Sequence, residues 1–314
     1  MNILSSIFAA GVRARNALYD RRSVHARRLQ GPVVSVGNLS VGGAGKTPFV
    51  MLLGDLLTAR GVKFDILSRG YGRKKRGVSQ VDPGGSSQDF GDEPLLLARR
   101  LGVPVIVGED RYEAGLFAEK HFGAQLHLLD DGFQHRALAR DFDIVLVTPE
   151  DARDRLLPTG RLREPLTSLS RADAVVLASG ASPESFPLDG KLIWRVRRGI
   201  SLTDVPARPI VFCGIARPQN FLLQLRTAGV EPVAQALYRD HHAYTERDIQ
   251  DLLKLRQRSD GEGFVTTEKD AINLGGYLQA LHPLAVIPVK MELVDAANAV
   301  DTMLRIIAER VREA

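Results

Sequence analysis

The stretch Ser40-Val41-Gly42-Gly43-Ala44-Gly45-Lys46-Thr47 sets the class of this chain. A short β-branched run, Val33–Val36, precedes it, and a helical stretch from Lys46 to about Arg60 follows. A strand, a glycine-rich loop and a helix opening on Lys-Thr form the layout of a phosphate-binding loop. Gly42, Gly43 and Gly45, with the small Ala44, let successive backbone N–H groups curl around phosphate oxygens, and the helix N-terminus adds partial positive charge. Lys46 would reach the β- and γ-phosphates of a nucleoside triphosphate, and the Thr47 hydroxyl would ligate Mg2+. One departure is the first glycine of G-x-x-x-x-G-K-[ST], which is Ser40 here. A glycine-rich turn with a chance Lys-Thr is the plain alternative, and the flanking strand and helix argue against it.

Outward from the loop the pattern repeats. Phe64–Leu67, Val103–Val107, Gln125–Leu129, Ile144–Val147 and Ala174–Leu177 are apolar runs of buried-strand length, with helical stretches such as Glu93–Leu101 and Arg111–His121 between them. Continuous apolar strands alternating with helices predict an α/β fold: a parallel sheet of the P-loop type, flanked by helices. The 314 residues suffice for two domains at about 150 residues each. Turn-rich stretches at Ala178–Lys191 and Ser201–Pro209 place the boundary near 205. The expectation is a P-loop domain over 1–205 and a smaller α/β domain over 206–314, whose last helix, from about Ala296, can pack back on the first.

A P-loop needs a second anchor for the metal. Gln125–Leu129 runs into Asp130-Asp131-Gly132, and a carboxylate at the end of a strand beside the P-loop strand can hold Mg2+ directly or through water. The competing reading is an ordinary Asp-Asp-Gly turn. A base-reading N/T-K-x-D motif is missing, since Thr267-Glu268-Lys269-Asp270 has Lys and Glu in the wrong order. The lysine that another P-loop branch places before Gly-Gly is Val41 here. A kinase remains, and it must also hold an acceptor and take its proton.

Three loops carry candidate groups. Gly91-Asp92-Glu93-Pro94 reads first as a helix cap, with Asp92 as a second-role base. Asp240-His241-His242 precedes a helix, and two adjacent histidines point in different directions, so one is functional and one structural. Leu162-Arg163-Glu164-Pro165 could set a guanidinium on phosphate and a carboxylate on the metal, or be a surface turn.

Taken together these pieces resemble the tetraacyldisaccharide 4′-kinase family, the lipid A 4′-kinases. The resemblance runs in order through Ser35-Val36-Gly37-Asn38-Leu39, the P-loop, Ser68-Arg69-Gly70-Tyr71-Gly72, Gly91-Asp92-Glu93-Pro94 and Gly108-Glu109-Asp110-Arg111. It continues through Asp130-Asp131-Gly132-Phe133-Gln134-His135, Leu162-Arg163-Glu164-Pro165, Asp240-His241-His242 and Thr267-Glu268-Lys269-Asp270-Ala271. It implies ATP- and Mg2+-dependent phosphorylation of the 4′-hydroxyl of an acylated glucosamine disaccharide 1-phosphate, at the cytoplasmic face of the inner membrane of a Gram-negative bacterium. By position, it makes Asp92 the base for the sugar hydroxyl and His241 its partner, with His242 the alternative. Lys46 and Thr47 would serve phosphates and Mg2+, with Asp130, Asp131 and Glu164 around the metal and Arg163 near the transferring phosphoryl. Arg69 and Arg111 would contact substrate or phosphate.

Composition narrows the alternatives. At 44% hydrophobic and 25% charged the chain is an ordinary globular one, and no apolar run approaches the roughly 18–20 residues of a spanning helix. The lone Cys213 can form neither an internal disulfide nor a zinc cage. The net charge of +5 is concentrated in residues 1–30, where six arginines face Asp20 alone, while the rest balances. A nucleic-acid binder needs a basic stripe across the fold, and 6% aromatic residues offer little for base stacking. Neither nucleic acid nor an obligate protein partner is expected. In the first segment Ile3, Leu4, Ile7, Phe8, Val12 and Leu18 follow helical spacing and lead into arginines. Such a helix suits a membrane interface with anionic head groups, or packs its stripe on the protein's own core; the lipid acceptor that the resemblance implies favours the interface. The rival functions are a kinase of a soluble metabolite and a nucleotide-dependent switch or chaperone.

Overall fold

The computed structural model describes residues 3–21 and 23–313; Arg22, one of the six N-terminal arginines, lies outside them. Strands β1 (Val33–Asn38), β2 (Phe64–Ser68), β3 (Ser79–Gln80), β4 (Val105–Val107), β5 (Leu126–Asp130), β6 (Phe142–Val147), β7 (Ala174–Leu177) and β8 (Leu192–Ile200) enter one large sheet. Strands β9 (Pro209–Cys213), β10 (Ala234–Leu237), β11 (Gly263–Thr267) and β12 (Leu284–Ile287) make a second sheet, and β13 (Val289–Leu293) returns to the first. The helices are α1 (Ile3–Asp20), α2 (Lys46–Thr58), α3 (Ser87–Phe90), α4 (Asp92–Leu101), α5 (Arg111–Phe122), α6 (Pro218–Thr227), α7 (Glu246–Arg258), α8 (Glu268–Leu274) and α9 (Ala296–Glu313).

The large sheet runs β13-β8-β7-β6-β1-β5-β2-β4-β3, parallel except at its two edges. Every residue of β1, β2, β4, β5, β6 and β7 is buried, the pattern of strands covered on both faces. One face packs α2, α4 and α9 into a core that includes Phe49, Leu53, Leu97 and Trp194. The other face carries α5, through Ala114 and Ala118, on Leu67, Ile106 and Leu129. β1 lies between β5 and β6, where the strand order reverses, with Val36 opposite Asp130. Open parallel sheets bind ligands at this position, outside the carboxyl ends of the strands.

The small sheet, β10-β9-β11-β12, is parallel throughout. It is closed within residues 209–287, a narrower span than 206–314. Leu284–Val289, one apolar run in the sequence, is split between the sheets: β12 pairs with β11, and β13, just past Pro288, pairs with β8. Helix α9 follows β13 onto the large sheet because Ala299, Val300, Met303 and Ile307 complete the core around Phe49 and Trp194.

Helix α1 follows the expected spacing but divides its apolar stripe. Val12 is buried, whereas Leu4 and Ile7 are more than half exposed and Leu18 is 49% exposed. The Ser5 hydroxyl is 2.7 Å from that of Thr159, and Arg136 donates to the Asn16 carbonyl and to Asp20. Part of the cationic end is spent on the protein's own carboxylates: Arg15 on Glu164, Arg27 on Asp110 and Glu113, and Arg28 on Asp141. Among the described residues no helix is long and apolar enough to cross a membrane.

Candidate active site

The P-loop leaves the carboxyl end of β1 and enters α2 through Gly45, at φ 87°, a left-handed conformation costly for any residue with a Cβ. A second segment runs antiparallel beside it: Val41 N–H donates to the Arg161 carbonyl at 2.8 Å, and Arg163 N–H to that of Leu39 at 2.6 Å. This pairing brings Arg163 to the loop. Its guanidinium forks onto both oxygens of Asp131, at 2.9 and 3.1 Å, and donates to Asn38 Oδ1. Lys46 Nζ shares the same acceptors, 3.0 Å from Asn38 Oδ1 and 3.4 Å from Asp131 Oδ1. Asn38 Nδ2 in turn donates to the Ser40 carbonyl at 2.7 Å. Two cations, one carboxylate and one amide thus converge at the start of α2.

The paired aspartates have unlike environments. Asp130 ends β5, is buried, and accepts from the Ser68 hydroxyl through Oδ2 at 3.1 Å. Its Oδ1 is buried without a hydrogen-bond partner among the described residues. Burial, with the charges of Glu93 and Asp131 nearby, pushes its pKa up to about 7. Asp131 turns the chain at φ 52° and reaches the cations. Burial opposes its charge, but Lys46 and Arg163 outweigh that and hold it well below the usual carboxylate range. A buried carboxylate with an unpartnered oxygen, at the end of the strand beside the P-loop strand, fits a divalent cation's donor set, since such an oxygen is costly unless something satisfies it.

Asp92 opens α4, where Gly91 adopts φ 90° and ψ 150°. A Cβ there would approach the Tyr71 carbonyl to 2.9 Å, so glycine lets the 68–72 loop close over the helix start. Both Asp92 oxygens lie 2.9–3.0 Å from Nδ1 of His241, and Asn273 Nδ2 donates to Oδ2 at 3.2 Å. His241 and Asn273 belong to the small unit, so this cluster spans the two sheets. Asp92 is 5% exposed. Burial works against its charge, yet the His241 hydrogen bond, the Lys269 ammonium and Asn273 outweigh it and lower its pKa. Held at φ 57°, His241 is pulled opposite ways: burial and Lys269 oppose a second proton, while Asp92 and Asp240 favour one and raise its pKa.

A nucleotide-type loop, a cation pair on a carboxylate and an Asp–His pair across two units describe a phosphotransferase, and comparison with known proteins gives the family. The family model for tetraacyldisaccharide-1-P 4′-kinase, LpxK, matches residues 1–308. The chain belongs to this family. A tetraacyldisaccharide 4′-kinase of Koribacter versatilis is 52% identical over 320 residues, covering 99% of both chains. One from Aquifex aeolicus is 39% identical over 291 residues, covering 87% of this chain and 89% of its own. The crystal structure of an "apo" form of LpxK from Aquifex aeolicus in complex with ATP superposes with a TM-score of 0.79 at 36% identity, covering 97% of each chain.

Within this 4′-kinase fold the expected site residues fall into place unequally. Gly42, Gly43, Ala44, Gly45, Lys46, Thr47, Asp130, Asp131 and Arg163 surround the loop, and Asp92 meets His241. His242 does not: its Nε2 is 3.2 Å from Asp248, in the capping box of α7, and its ring stacks on Tyr238 at 4.5 Å. Glu164 has partners of its own: its carboxylate, fully buried, lies 2.9 Å from Arg171, 2.8 Å from Asn16 and 3.4 Å from Arg15, and its Oε1 accepts no hydrogen bond among the described residues. No group of three or more His, Cys, Asp or Glu among the described residues is arranged as a ready metal cage. Arg111 is buried, donates to the Glu109 carbonyl at 2.8 Å, and lies close enough to Asp130 and Asp131 to feel both charges; Arg69 is exposed nearby.

Other residues at the site carry weak sequence signals. Asn38 is polar at the end of an apolar strand, a mark of function easily taken for a turn. Arg217 belongs to the small unit, just before the Pro that opens α6, yet a Cβ on Gly43 would lie 2.9 Å from its Cγ. It donates to Glu150 at 3.1 Å, while its Nη2 is buried with no partner among the described residues. A Cβ on Gly45 would be 3.9 Å from Nη1 of Arg198, on β8. The loop is therefore ringed by arginines as well as by its own lysine.

Proposed function

We propose that this chain transfers the γ-phosphoryl group of ATP to the 4′-hydroxyl of tetraacyldisaccharide 1-phosphate, a lipid A precursor, with Asp92 as the base. The observation that carries the base assignment is Asp92 itself: a buried carboxylate at a helix start, kept ionised by His241, Lys269 and Asn273. A sugar hydroxyl is far too weak an acid to ionise in neutral water, so a positioned acceptor for its proton helps as it attacks. The new O–P bond forms at the γ-phosphorus, the bond to the β–γ bridging oxygen breaks, ADP leaves, and the hydroxyl proton passes to Asp92. Because the transition state is loose, most of the catalysis is positioning and charge neutralisation. Lys46, Arg163 and Arg217 supply the cations, and the forked Arg163 suits planar phosphate oxygens. Release of Asp131 by Lys46 and Arg163 as the polyphosphate enters frees them for that task.

Thr47 and Asp130, with its unpartnered Oδ1, are the residues suited to hold Mg2+. When bound, the ion would neutralise charge on the β- and γ-phosphates. Asp131 would be released to it as the cations move to phosphate. Two units contributing Asp92 and His241 keep the reacting centre incomplete unless they are closed together, which limits transfer to water.

Helix α1 is read as the contact with the bilayer holding the acceptor, at the cytoplasmic face of the inner membrane, where ATP is available. Its exposed Leu4, Ile7 and Leu18 support this. The deciding assay follows label from γ-labelled ATP with Mg2+ into acylated glucosamine disaccharide 1-phosphate in mixed micelles, beside the deacylated sugar. Label in the acylated lipid alone is expected. Equal labelling of the deacylated sugar would make the enzyme a kinase of soluble acceptors, and no labelling of either would overturn the assignment.

A further inference from the structure

Lys269 stands outside the P-loop, on α8, yet it is the most heavily engaged cation at the Asp92 centre. It stands in the first turn of α8 with its side chain 17% exposed. Its Nζ is 3.2 Å from Glu93 Oε1, 3.6 Å from Asp240, 3.7 Å from Asp92 Oδ2 and 3.2 Å from Nε2 of His241. Burial opposes its charge, and the three carboxylates outweigh burial, so the group is an ammonium with a raised pKa. An ammonium has donors only. At 3.2 Å the atom facing it must be an acceptor, which makes His241 Nε2 the unprotonated nitrogen and leaves the proton on Nδ1, donated to Asp92. Two donors would otherwise oppose each other across that gap.

We propose that Lys269 is a positioning residue for the transfer, fixing His241 as the neutral Nδ1–H tautomer so that Asp92 stays ionised and oriented toward the acceptor hydroxyl. The inference rests on Asp92 being the base. The groups facing His241 are Asp92 and, through Lys269, Glu93 on α4, Lys269 on α8, its own neighbour Asp240 at 3.7 Å from Nε2, and the Tyr71 ring at 5.2 Å between centroids. Of these Lys269 alone is a cation. Removing it leaves Nε2 facing Asp240, and the imidazole takes a second proton at higher pH. Asp92 is then tied in a full ion pair with an imidazolium and becomes a weaker base. It also loses a cation that favoured its ionised form. Without that cation the first proton taken up by the Asp92–His241 pair, at either site, binds at higher pH, which moves the acid limb of the pH–rate profile upward.

The test compares wild type, Lys269→Met and Lys269→Arg by imidazole nitrogen NMR of His241 and by kcat and KM across pH. Wild type should show the neutral Nδ1–H tautomer on the alkaline side of the raised His241 pKa. Lys269→Met should show imidazolium, an acid limb raised by about one pH unit and kcat lowered roughly tenfold near neutrality, with KM for ATP unchanged within about twofold. Lys269→Arg keeps the charge and should restore the limb. An Nε2–H tautomer in wild type would overturn the proposal whether or not the Met variant folds. So would a Met variant that loses rate with its acid limb unmoved, which would make Lys269 only a brace between α4 and α8. Asp92→Asn with near-normal turnover would remove the base assignment instead, while the His241 tautomer in wild type still reports on Lys269.

Discussion

Asn16 of helix α1 donates a 2.8 Å hydrogen bond to the carboxylate of Glu164, the residue next in the chain to Arg163. The N-terminal helix is thereby fastened to the segment that brings a guanidinium to the P-loop. Glu164 also neutralises Arg171, whose guanidinium lies 4.4 Å over the Phe133 ring in the loop after Asp131. Asn16→Ala should cost about 1 kcal/mol of stability. Glu164→Gln should cost about 3 kcal/mol or more, because Arg171 is left largely buried and unpaired. Both variants should lower kcat, by up to about 100-fold if Arg163 shifts by as much as 1 Å. Urea midpoints and turnover with detergent-dispersed acceptor measure this. A Glu164→Gln variant with wild-type stability but weakened metal dependence would return Glu164 to the metal.

Arg217 tests whether the small unit contributes to nucleotide binding. Its side chain lies against Gly43 with Nη2 uncommitted, and a charge-assisted bond to phosphate is the natural use of that nitrogen. Arg217→Ala should weaken ATP binding roughly tenfold, about 1.5 kcal/mol, with little change in melting temperature. Glu150→Gln, which removes the arginine's partner on the large unit, should change ATP affinity far less. Titration calorimetry with ATP separates the two, and equal affinities for Arg217→Ala and wild type would exclude the contact.

The P-loop, β1, β5 and the Asp130 position were legible because each depends on local backbone chemistry: glycines, a buried apolar run, a carboxylate at its end. The Asp92–His241 pair was not fixed by spacing, since its members stand 149 residues apart on different units. Choosing between His241 and His242 depends on the left-handed turn at His241, which sends one ring to Asp92 and the other to Asp248. β8 carries no continuous apolar pattern, because Arg195, Arg197 and Arg198 interrupt its apolar residues and the strand is only partly covered. The run Leu284–Val289 hid a change of sheet, for which the turn at Pro288 is the physical cause. Glu164 shows the opposite limit: its partners Asn16 and Arg15 lie almost 150 positions away, and no local signal links them.

Asp92→Asn is the sharper form of the base test, since it keeps the size and the His241 contact while removing the charge. Turnover should fall by about 100- to 10,000-fold, the usual contribution of general base catalysis. ATP affinity should be unchanged, because the phosphate residues are separate from the dyad. Single-turnover transfer with calorimetry of ATP binding reads both quantities, and a variant within a few-fold of wild type would eliminate Asp92 as base.

A last prediction concerns stability, at the opposite ends of the strands. His127 and Asp65 face each other across β5 and β2, both fully buried, with Nδ1 2.8 Å from the carboxylate; Glu119 of α5 lies 3.4 Å from Nε2. Burial disfavours the charged imidazole, but Asp65 and Glu119 outweigh it and raise the His127 pKa. Burial raises that of Asp65 as well. Both groups hold protons more tightly folded than unfolded, so their contributions have the same sign. The His127 contribution is complete below its unfolded value of about 6.5 and is lost as pH rises through the folded value. Asp65 likewise loses stability as pH rises from its unfolded value of about 3.9 through its folded one. Stability measured from urea unfolding should therefore fall as pH rises above about 6.5, by at most about 1.4 kcal/mol per pH unit for each proton released. His127→Gln should flatten that slope, while kcat at fixed pH changes little because the pair is remote from the P-loop. A slope equally steep in the variant would assign the pH dependence to other groups.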